Sequence, residues 1–138
     1  MIRNCGTLVT MKSLLLDTCA LLWLAISPER ISADARRQIS RCEYLYVSAV
    51  SLWEITFKYR IGKLKLDLDP RDWLELVEEK FMLTVLPLER KAMLDAANLP
   101  LHHRDPADRF IIATALENDL SVVTSDEKFE KYGVKTIR

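Results

Sequence analysis

The sequence lacks the features that identify several large classes of protein. It has three cysteines, Cys5, Cys19 and Cys42, an odd number without a C-x-x-C spacing, so neither a disulfide framework nor a zinc cage is indicated. Only 3 glycines and 5 prolines occur in 138 residues, which argues against a disordered or low-complexity chain. Because 20 basic residues balance 20 acidic ones, no overall positive field attracts nucleic acid, and only a local patch can bind it.

Long hydrophobic segments are also absent from the sequence. The longest uninterrupted apolar run extends from Cys19 to Ile26, far short of the ~18–20 residues that a membrane-spanning helix needs. Residues 1–10 hold no hydrophobic stretch of signal-peptide length. These observations predict a cytoplasmic protein with no membrane partner. They also predict that Cys19, inside the apolar run, is a buried and reduced thiol.

The sequence does contain a regular alternation of short apolar runs and helical patterns. Five runs have the length of buried strands, namely residues 13–16, 45–47, 83–86, 121–124 and 134–137. The helical segments between them begin with capping residues, namely Ser32, Ser48, Asp69 and Asp105. Pro70 and Pro106 follow two of these caps as first-turn prolines. Strands separated by helices pair in parallel through right-handed crossovers, so the pattern predicts a single α/β domain with helices flanking the sheet.

Acidic residues lie near the predicted ends of the strands, where open parallel sheets bind their ligands. Asp17 comes directly after the first strand, and Asp126 closely follows the fourth. Asp108 opens the helix that leads into the fourth strand. Glu54 lies in the helix after the second strand, where pairing with Lys58 at i+4 is an alternative role worth only ~0.3–0.5 kcal/mol. Only the fold can bring these distant side chains together.

The aspartates also have purely structural interpretations. Asp17 is placed to cap the helix that follows it, and Asp126 to occupy a turn. Asp105 and Asp108 have the spacing of a capping box, and we assign the cap to Asp105. Taken one at a time, these residues do not separate a structural role from a functional one.

Three or four acids at one sheet edge would repel each other strongly. Two unit charges ~4 Å apart repel by about 4 kcal/mol at an effective dielectric of ~20, so such a cluster must be protonated or neutralised. No lysine directly adjoins Asp17 or Asp126 in the sequence, and Arg109 alone cannot balance the group. Mg²⁺ or Mn²⁺ is the simplest solution, because these ions take oxygen ligands, activate a bound water and stabilise charge on a phosphate. The residues therefore predict a metal-dependent phosphodiester hydrolase.

Four segments together resemble those of PIN-domain ribonucleases, and specifically VapC-type toxins of type II toxin–antitoxin modules. They are LLDTCALLW from Leu15, VSAVSLWEI from Val47, RDPADRFIIATA from Arg104 and VVTSD from Val122. In order and spacing they cover the chain from about Met11 to its C terminus. The combination is specific, although any single segment is a weak signal.

The resemblance implies a fold and a set of site residues. The sheet is expected to have five parallel strands in the order 3-2-1-4-5. The catalytic and metal-binding acids carry over to Asp17, Glu54, Asp108 and Asp126. Asp105 keeps its capping role with an indirect part in the site, while Thr18 and Thr124 line the site and position carboxylates or the phosphate.

The resemblance also implies an activity and partners. The expected reaction is Mg²⁺- or Mn²⁺-dependent endonucleolytic cleavage of RNA that leaves a 5′-phosphate and a 3′-hydroxyl. The expected partners are the RNA substrate, a second copy of the chain in a homodimer, and a cognate antitoxin whose C-terminal segment occupies the groove. The PIN domain is assigned to residues 11–138. Residues 1–10 have no counterpart in such toxins, so we interpret them as an extension and Met11 as the physiological start.

One stretch of the chain has the composition of a single-stranded RNA path. This basic stretch, which contains no acid and is interleaved with Phe57 and Tyr59, comprises Lys58, Arg60, Lys63 and Lys65. Basic residues attract phosphates, and aromatic rings stack on unpaired bases. A solvated helix face is the alternative interpretation.

Two other pairs of residues invite interpretation. His102 and His103 do not indicate a transition-metal site, because neighbours on a loop rarely direct both rings at one ion and no further histidine exists. A contact with RNA is the functional role left for a loop histidine. Trp53 and Trp73 lie on apolar helical faces and are predicted as core or dimer contacts.

Three other classes of protein are alternatives to this interpretation of the residues. A haloacid-dehalogenase-like enzyme needs a second aspartate two residues after Asp17, where Cys19 stands. A phosphoacceptor receiver domain would place its acidic pair before the phosphorylated aspartate. The third alternative is a PIN-fold RNA- or protein-binding module with little or no nuclease activity, and the complete set of acids argues against it.

Overall fold

Five short strands form the centre of the molecule in a computed structural model, which describes residues 12–138. They are β1 (Leu14–Leu16), β2 (Leu45–Ser48), β3 (Leu83–Leu86), β4 (Ser121–Val123) and β5 (Thr136–Ile137). Neighbouring strands run parallel in the order β3-β2-β1-β4-β5. The α/β class and the strand order 3-2-1-4-5 are therefore confirmed. The expected extension over residues 1–10 and the start at Met11 lie outside the described residues.

Six α-helices flank the sheet in residues 12–138. They are α1 (Thr18–Ile26), α2 (Ala33–Arg41), α3 (Ala49–Arg60), α4 (Pro70–Phe81), α5 (Arg90–Asn98) and α6 (Pro106–Asn118). The predicted caps at Ser32, Ser48, Asp69 and Asp105 each accept a hydrogen bond from a backbone N–H of the first helical turn. Two short 3₁₀ helices, Pro28–Arg30 and Glu127–Tyr132, complete the connections. Across the described residues, no helix has both the length and the apolar character needed to span a bilayer.

The sheet is buried on both faces, which explains why its strands appear in the sequence as continuous apolar runs. Leu14 and Leu16 of β1 belong to a core formed with α1, α2 and α4. Leu15 belongs to the opposite core, where it joins Ile111 and Ile112 of α6. All three leucines are at most 1% exposed, so the central strand is held from both sides.

Parallel pairing brings the carboxyl ends of β1, β2 and β4 to one edge of the sheet. At that edge β1 passes into α1 through Asp17, whose backbone N–H donates to Val123 O of β4 at 3.1 Å. Ser48 ends β2 and caps α3. The first turns of α1 and α3 and the loop after β4 therefore meet where the sequence predicts the functional residues.

Candidate active site

Asp17 lies at this edge, between β1 and α1. Its Oδ1 accepts a hydrogen bond from Ala20 N at 2.7 Å, so it caps α1 as its structural interpretation expected. Burial raises the pKa of Asp17 to about 6, hydrogen bonds from Thr124 and Ala20 oppose that rise, and the charges of Asp126 and Glu54 add to it. The same carboxylate therefore acts as a helix cap and as a member of an acidic group.

Glu54 approaches Asp17 from α3, and side chains contact both of its oxygens. Oε1 accepts from Thr18 Oγ1 at 2.7 Å, and Oε2 contacts Lys58 Nζ at 2.7 Å, the i+4 pairing foreseen from the sequence. Because the Thr18 hydroxyl has a single hydrogen, it accepts the hydrogen of Ser51 Oγ, which lies 2.8 Å away. The hydrogen bond to Glu54 raises the pKa of Lys58. Lys58 thus balances part of the negative charge at this end of the site.

Asp105 and Asp108 stand one turn apart at the start of α6 and have different environments. Asp105 Oδ1 accepts from two backbone N–H groups of the first turn, at 2.9 and 3.4 Å, and caps the helix as predicted. Burial raises the pKa of Asp108 to about 7; the charges of Asp105, Asp17 and Glu54 act in the same direction, and the neighbouring ring of His103 acts against them. Asp108 therefore belongs to the same electrostatic group as Asp17 and Glu54.

A histidine completes the site, and sequence reasoning did not assign it there. His103 Nε2 lies 2.7 Å from Asp126 Oδ2 and 3.0 Å from Asp108 Oδ2, and its side chain is 9% exposed. Each of these three residues offers a ligand atom within 4.8 Å of the other two. The available signal was position, because His103 shortly precedes the cap of α6 and its loop must end at the same edge. His102 is exposed, with its ring against Tyr132.

Asp126 reaches the site from the loop after β4. Its backbone N–H donates to Thr124 Oγ1 at 3.0 Å, and its Oδ1 accepts from Lys128 N at 2.9 Å, so the expected turn role is also present. Burial acts to raise the pKa of Asp126, but the Lys128 N–H and the His103 ring outweigh it and lower the pKa. The Thr124 hydroxyl bonds the Asp17 carboxylate and accepts from the backbone N–H of Asp126, so Thr124 lies between these two residues.

The other basic residues named in the sequence analysis lie away from the acids or extend into solvent. Arg109 is buried, and its guanidinium donates to five backbone carbonyls, those of Ala96, Ala97, Leu99, Pro100 and His103. It therefore braces a loop and does not neutralise the carboxylates. Within the basic stretch, Lys58 contacts Glu54, whereas Arg60, Lys63 and Lys65 are exposed.

The expectation that Cys19 is buried is wrong. Cys19 is exposed, because the buried face of α1 is formed by other residues of the apolar run. Of the two tryptophans predicted as core or dimer contacts, Trp73 lies in the core. Trp53 is 61% exposed and stacks on Phe57 with ring centroids 5.2 Å apart, so of its two predicted roles only the dimer contact remains. The apolar character of a short helical segment does not by itself determine which side chains face the sheet.

The donor set at this edge suits a hard divalent cation. Neighbouring carboxylates contribute to the raised pKa values of Asp17 and Asp108, so bringing the ionised groups together is costly. A cation among their oxygens would relieve that repulsion, and oxygen ligands are the kind that Mg²⁺ and Mn²⁺ prefer. The chemistry of the residues present therefore fits a metal of this class.

Comparison with known proteins places the chain among proteins of the same architecture. Residues 14–135 match the family model described as PIN domain. Ribonuclease VapC22 of Mycobacterium tuberculosis is 28% identical over 123 residues, which cover 88% of this chain and 93% of that protein. The structure of VapBC2 from Rickettsia felis bound to a promoter DNA fragment gives a TM-score of 0.69 at 14% identity, covering 90% of this chain and 96% of that one. The structure of DNA-bound VapBC from Salmonella typhimurium gives a TM-score of 0.64 at 23% identity, covering 91% of this chain and 97% of that one.

Proposed function

The chain belongs to the PIN domain family, and from that premise we propose that it is a Mg²⁺- or Mn²⁺-dependent endoribonuclease, the toxin of a VapBC-type toxin–antitoxin module. The observation that carries the proposal is the gathering of four carboxylates at one edge of a parallel sheet. This acid cluster comprises Asp17, Glu54, Asp108 and Asp126. The relative from M. tuberculosis is named a ribonuclease, and both similar structures are VapBC assemblies, which supports the assignment.

The acid cluster would hold the metal through its carboxylate oxygens. When bound, the cation supplies charge stabilisation at the scissile phosphate and a water of lowered pKa. The protein itself supplies orientation. The Thr18 hydroxyl donates to Glu54 and the Thr124 hydroxyl bonds Asp17, so hydroxyl groups direct two of the carboxylates. Thr124 also accepts from the backbone N–H of Asp126 and so restrains the loop that carries the third. Hydrogen bonds of this kind hold ligands in a productive geometry.

Single-stranded RNA would approach the acid cluster along α3 and the segment after it. Lys58 contacts Glu54, so the basic stretch begins at the margin of the site. The exposed rings of Trp53 and Phe57 are nearly parallel, with an interplanar angle of 8°. Because cations attract phosphates and exposed rings stack on unpaired bases, this side of α3 supports a single-stranded substrate over a duplex.

The proposed protein partners are a cognate antitoxin and a second copy of the chain. An antitoxin would present an apolar helix to a groove and extend a basic side chain to the acid cluster. Leu94 of α5 and Leu116 of α6 are 51% and 44% exposed, and they offer apolar surface for a homodimer, whose mass light scattering would measure. Cys19 and Cys42 are both free thiols, which suits the reducing cytoplasm where we place the protein.

A nuclease assay on antitoxin-free protein tests the proposed activity. Structured and single-stranded RNAs are incubated with Mg²⁺, Mn²⁺ or EDTA, beside Asp17→Asn, whose amide can still cap α1. We expect metal-dependent cutting by the wild type and its loss in the variant. If the wild type cuts no RNA in the panel, the better description is the alternative, a PIN-fold RNA- or protein-binding module with little or no nuclease activity.

A further inference from the structure

His103 has a fixed orientation beside the acid cluster. Its Nδ1 accepts a hydrogen bond from Asp105 N at 3.2 Å, and its ring packs edge-on against Phe129, with centroids 6.1 Å apart. Its backbone N–H donates to the Tyr132 hydroxyl at 2.6 Å, and its carbonyl accepts from Arg109 Nη1 at 2.9 Å. Both the backbone and the ring are therefore restrained.

The loop that carries His103 is anchored independently of the acids. The Arg109 guanidinium donates to the carbonyls of Ala96 and Leu99, each at 2.7 Å, and to Pro100 O at 3.0 Å. The Tyr132 hydroxyl also donates to Pro100 O, at 2.6 Å. Since these contacts order the loop without help from a ligand, the imidazole is already in position when a cation arrives.

The hydrogen bond at Nδ1 determines which ring nitrogen carries the proton. A nitrogen that accepts from a backbone N–H uses its lone pair and bears no hydrogen, so the neutral ring of His103 carries its proton on Nε2. That Nε2–H donates to Asp126 Oδ2 at 2.7 Å, and Asp108 Oδ2 lies 3.0 Å from the same nitrogen. To bind a metal through Nε2, the neutral ring would need its proton on Nδ1, where it would meet the N–H of Asp105.

We propose that His103 is a positioning residue of the metal site and not a metal ligand: its Nε2–H donates to Oδ2 of Asp126, Oδ2 of Asp108 lies 3.0 Å from the same nitrogen, and the ring sets the spacing of these carboxylates. The inference rests on the proposed function, because it concerns the same site. Partners that orient metal ligands by hydrogen bonds typically change metal affinity or activity by about 10–100-fold when they are removed. His103 would therefore strengthen cation binding without favouring metals that prefer imidazole.

The wild-type protein tests the position of the proton directly. With ¹⁵N-labelled histidine, the two rings are assigned by comparison with His102→Gln, and NMR spectra report which nitrogen of His103 is protonated before and after saturation with Mg²⁺. We expect the proton on Nε2 in both states. Loss of that proton on Mg²⁺ binding would identify Nε2 as a ligand and overturn the inference.

Calorimetric titrations with Mn²⁺ and with Zn²⁺, in the absence of RNA, separate positioning from ligation. We expect His103→Ala to lower the affinity for both ions by about 10–100-fold. His103→Gln, whose amide N–H₂ can donate from a similar position, should recover most of that loss. A ligand role predicts a much larger loss for Zn²⁺, which suits imidazole, and no recovery in His103→Gln. His102→Gln is the matched control, and circular dichroism verifies that each variant is folded.

These outcomes are distinguishable from those of the nuclease assay. Cation binding with a protonated Nε2 but no RNA cleavage would contradict the proposed function and leave the positioning role of His103 intact. A wild-type protein that binds neither Mg²⁺ nor Mn²⁺ would overturn both.

Discussion

The Thr18 hydroxyl donates to Glu54 Oε1 across 2.7 Å and joins the first residue of α1 to α3, 36 residues further along the chain. Ser51 supplies the hydrogen bond that Thr18 accepts. Because Asp17 immediately precedes Thr18, the start of α1 places one carboxylate directly and orients a second through a hydroxyl. Two members of the acid cluster are therefore positioned by the same helical turn.

Replacing Thr18 by valine should lower the kcat/KM of RNA cleavage and leave the fold intact. The substitution removes the hydroxyl that Glu54 accepts from, while the side chain stays β-branched and buried. Hydrogen bonds to charged groups are worth roughly 1.5–3 kcal/mol, so we expect kcat/KM to fall by roughly one to two orders of magnitude. Thr18→Ser keeps the hydroxyl and should stay close to wild type. Full activity in Thr18→Val would show that Glu54 needs no fixed orientation.

Asp17→Asn should raise the free energy of unfolding while it abolishes cleavage. Burial raises the pKa of Asp17 to about 6 in the folded protein, from an ordinary value of 3.8, so the ionised carboxylate destabilises the fold above that pKa. A shift of about two pH units corresponds to roughly 3 kcal/mol, of which we expect the neutral amide to recover part. Urea denaturation at about pH 8 measures the gain, which should largely disappear near the unfolded pKa, because folded Asp17 is then protonated.

Added Mg²⁺ provides a control for the stability of Asp17→Asn. A cation that binds only the folded wild type stabilises it by mass action, and it should have much less effect on the variant. A variant less stable than wild type at about pH 8 would contradict the electrostatic account and indicate that the cap at Ala20 N depends on the carboxylate.

Much of the fold was predictable because its signals are local. The caps at Asp69 and Asp105 lie beside first-turn prolines, and both side chains accept from N–H groups of the turn they begin. Asp17 and Asp126 were predictable as neighbours because strand ends meet at one edge of a parallel sheet. The strand order came from the resemblance, and so did the catalytic role of Glu54, which the residues alone left open to pairing with Lys58.

The environment of His103 was not predictable because it depends on distant residues. His102 and His103 are adjacent and chemically identical, yet only His103 lies among the acids. Arg109 and Tyr132 determine the difference by binding the backbone of the loop. Cys19 illustrates the same limit, since an apolar run predicts burial of the segment but not of each residue in it.

Metal affinity should weaken as the pH falls through the pKa values of the buried aspartates. The pKa is about 7 for Asp108 and about 6 for Asp17, so protons compete with a cation for their oxygens in this range. Above both pKa values the carboxylates are ionised and affinity should no longer depend on pH. Below each pKa the affinity should fall by up to about tenfold per pH unit and per group.

Calorimetric titration of Mn²⁺ at several pH values measures this dependence, with Asp17→Asn showing the contribution of Asp108 alone. Activity at low Mn²⁺ should follow the same curve, and saturating Mn²⁺ should move it to lower pH, because the cation stabilises the ionised forms. An affinity that does not change across the two pKa values would mean that these carboxylates are not the ligands.

The basic stretch should determine the salt dependence of RNA binding. Lys63 and Lys65 are exposed, so replacing both by alanine removes charge without leaving a buried partner unpaired. Each phosphate contact to a single strand contributes about −0.7 to the slope of log Kobs against log salt concentration. The slope of the double variant should therefore be shallower than that of the wild type by up to about 1.4. Binding is measured in the Asp17→Asn background, where the RNA stays intact.

Lys135→Ala is the matched control for this measurement. Lys135 is also exposed, but it precedes β5 and therefore lies at the amino edge of the sheet, opposite the acid cluster. Its loss removes the same charge from a surface that RNA at the acid cluster does not touch, so the slope should not change. If the slope is also unchanged in the variant that lacks Lys63 and Lys65, these lysines make no phosphate contacts, and the basic stretch is a solvated surface and not an RNA path.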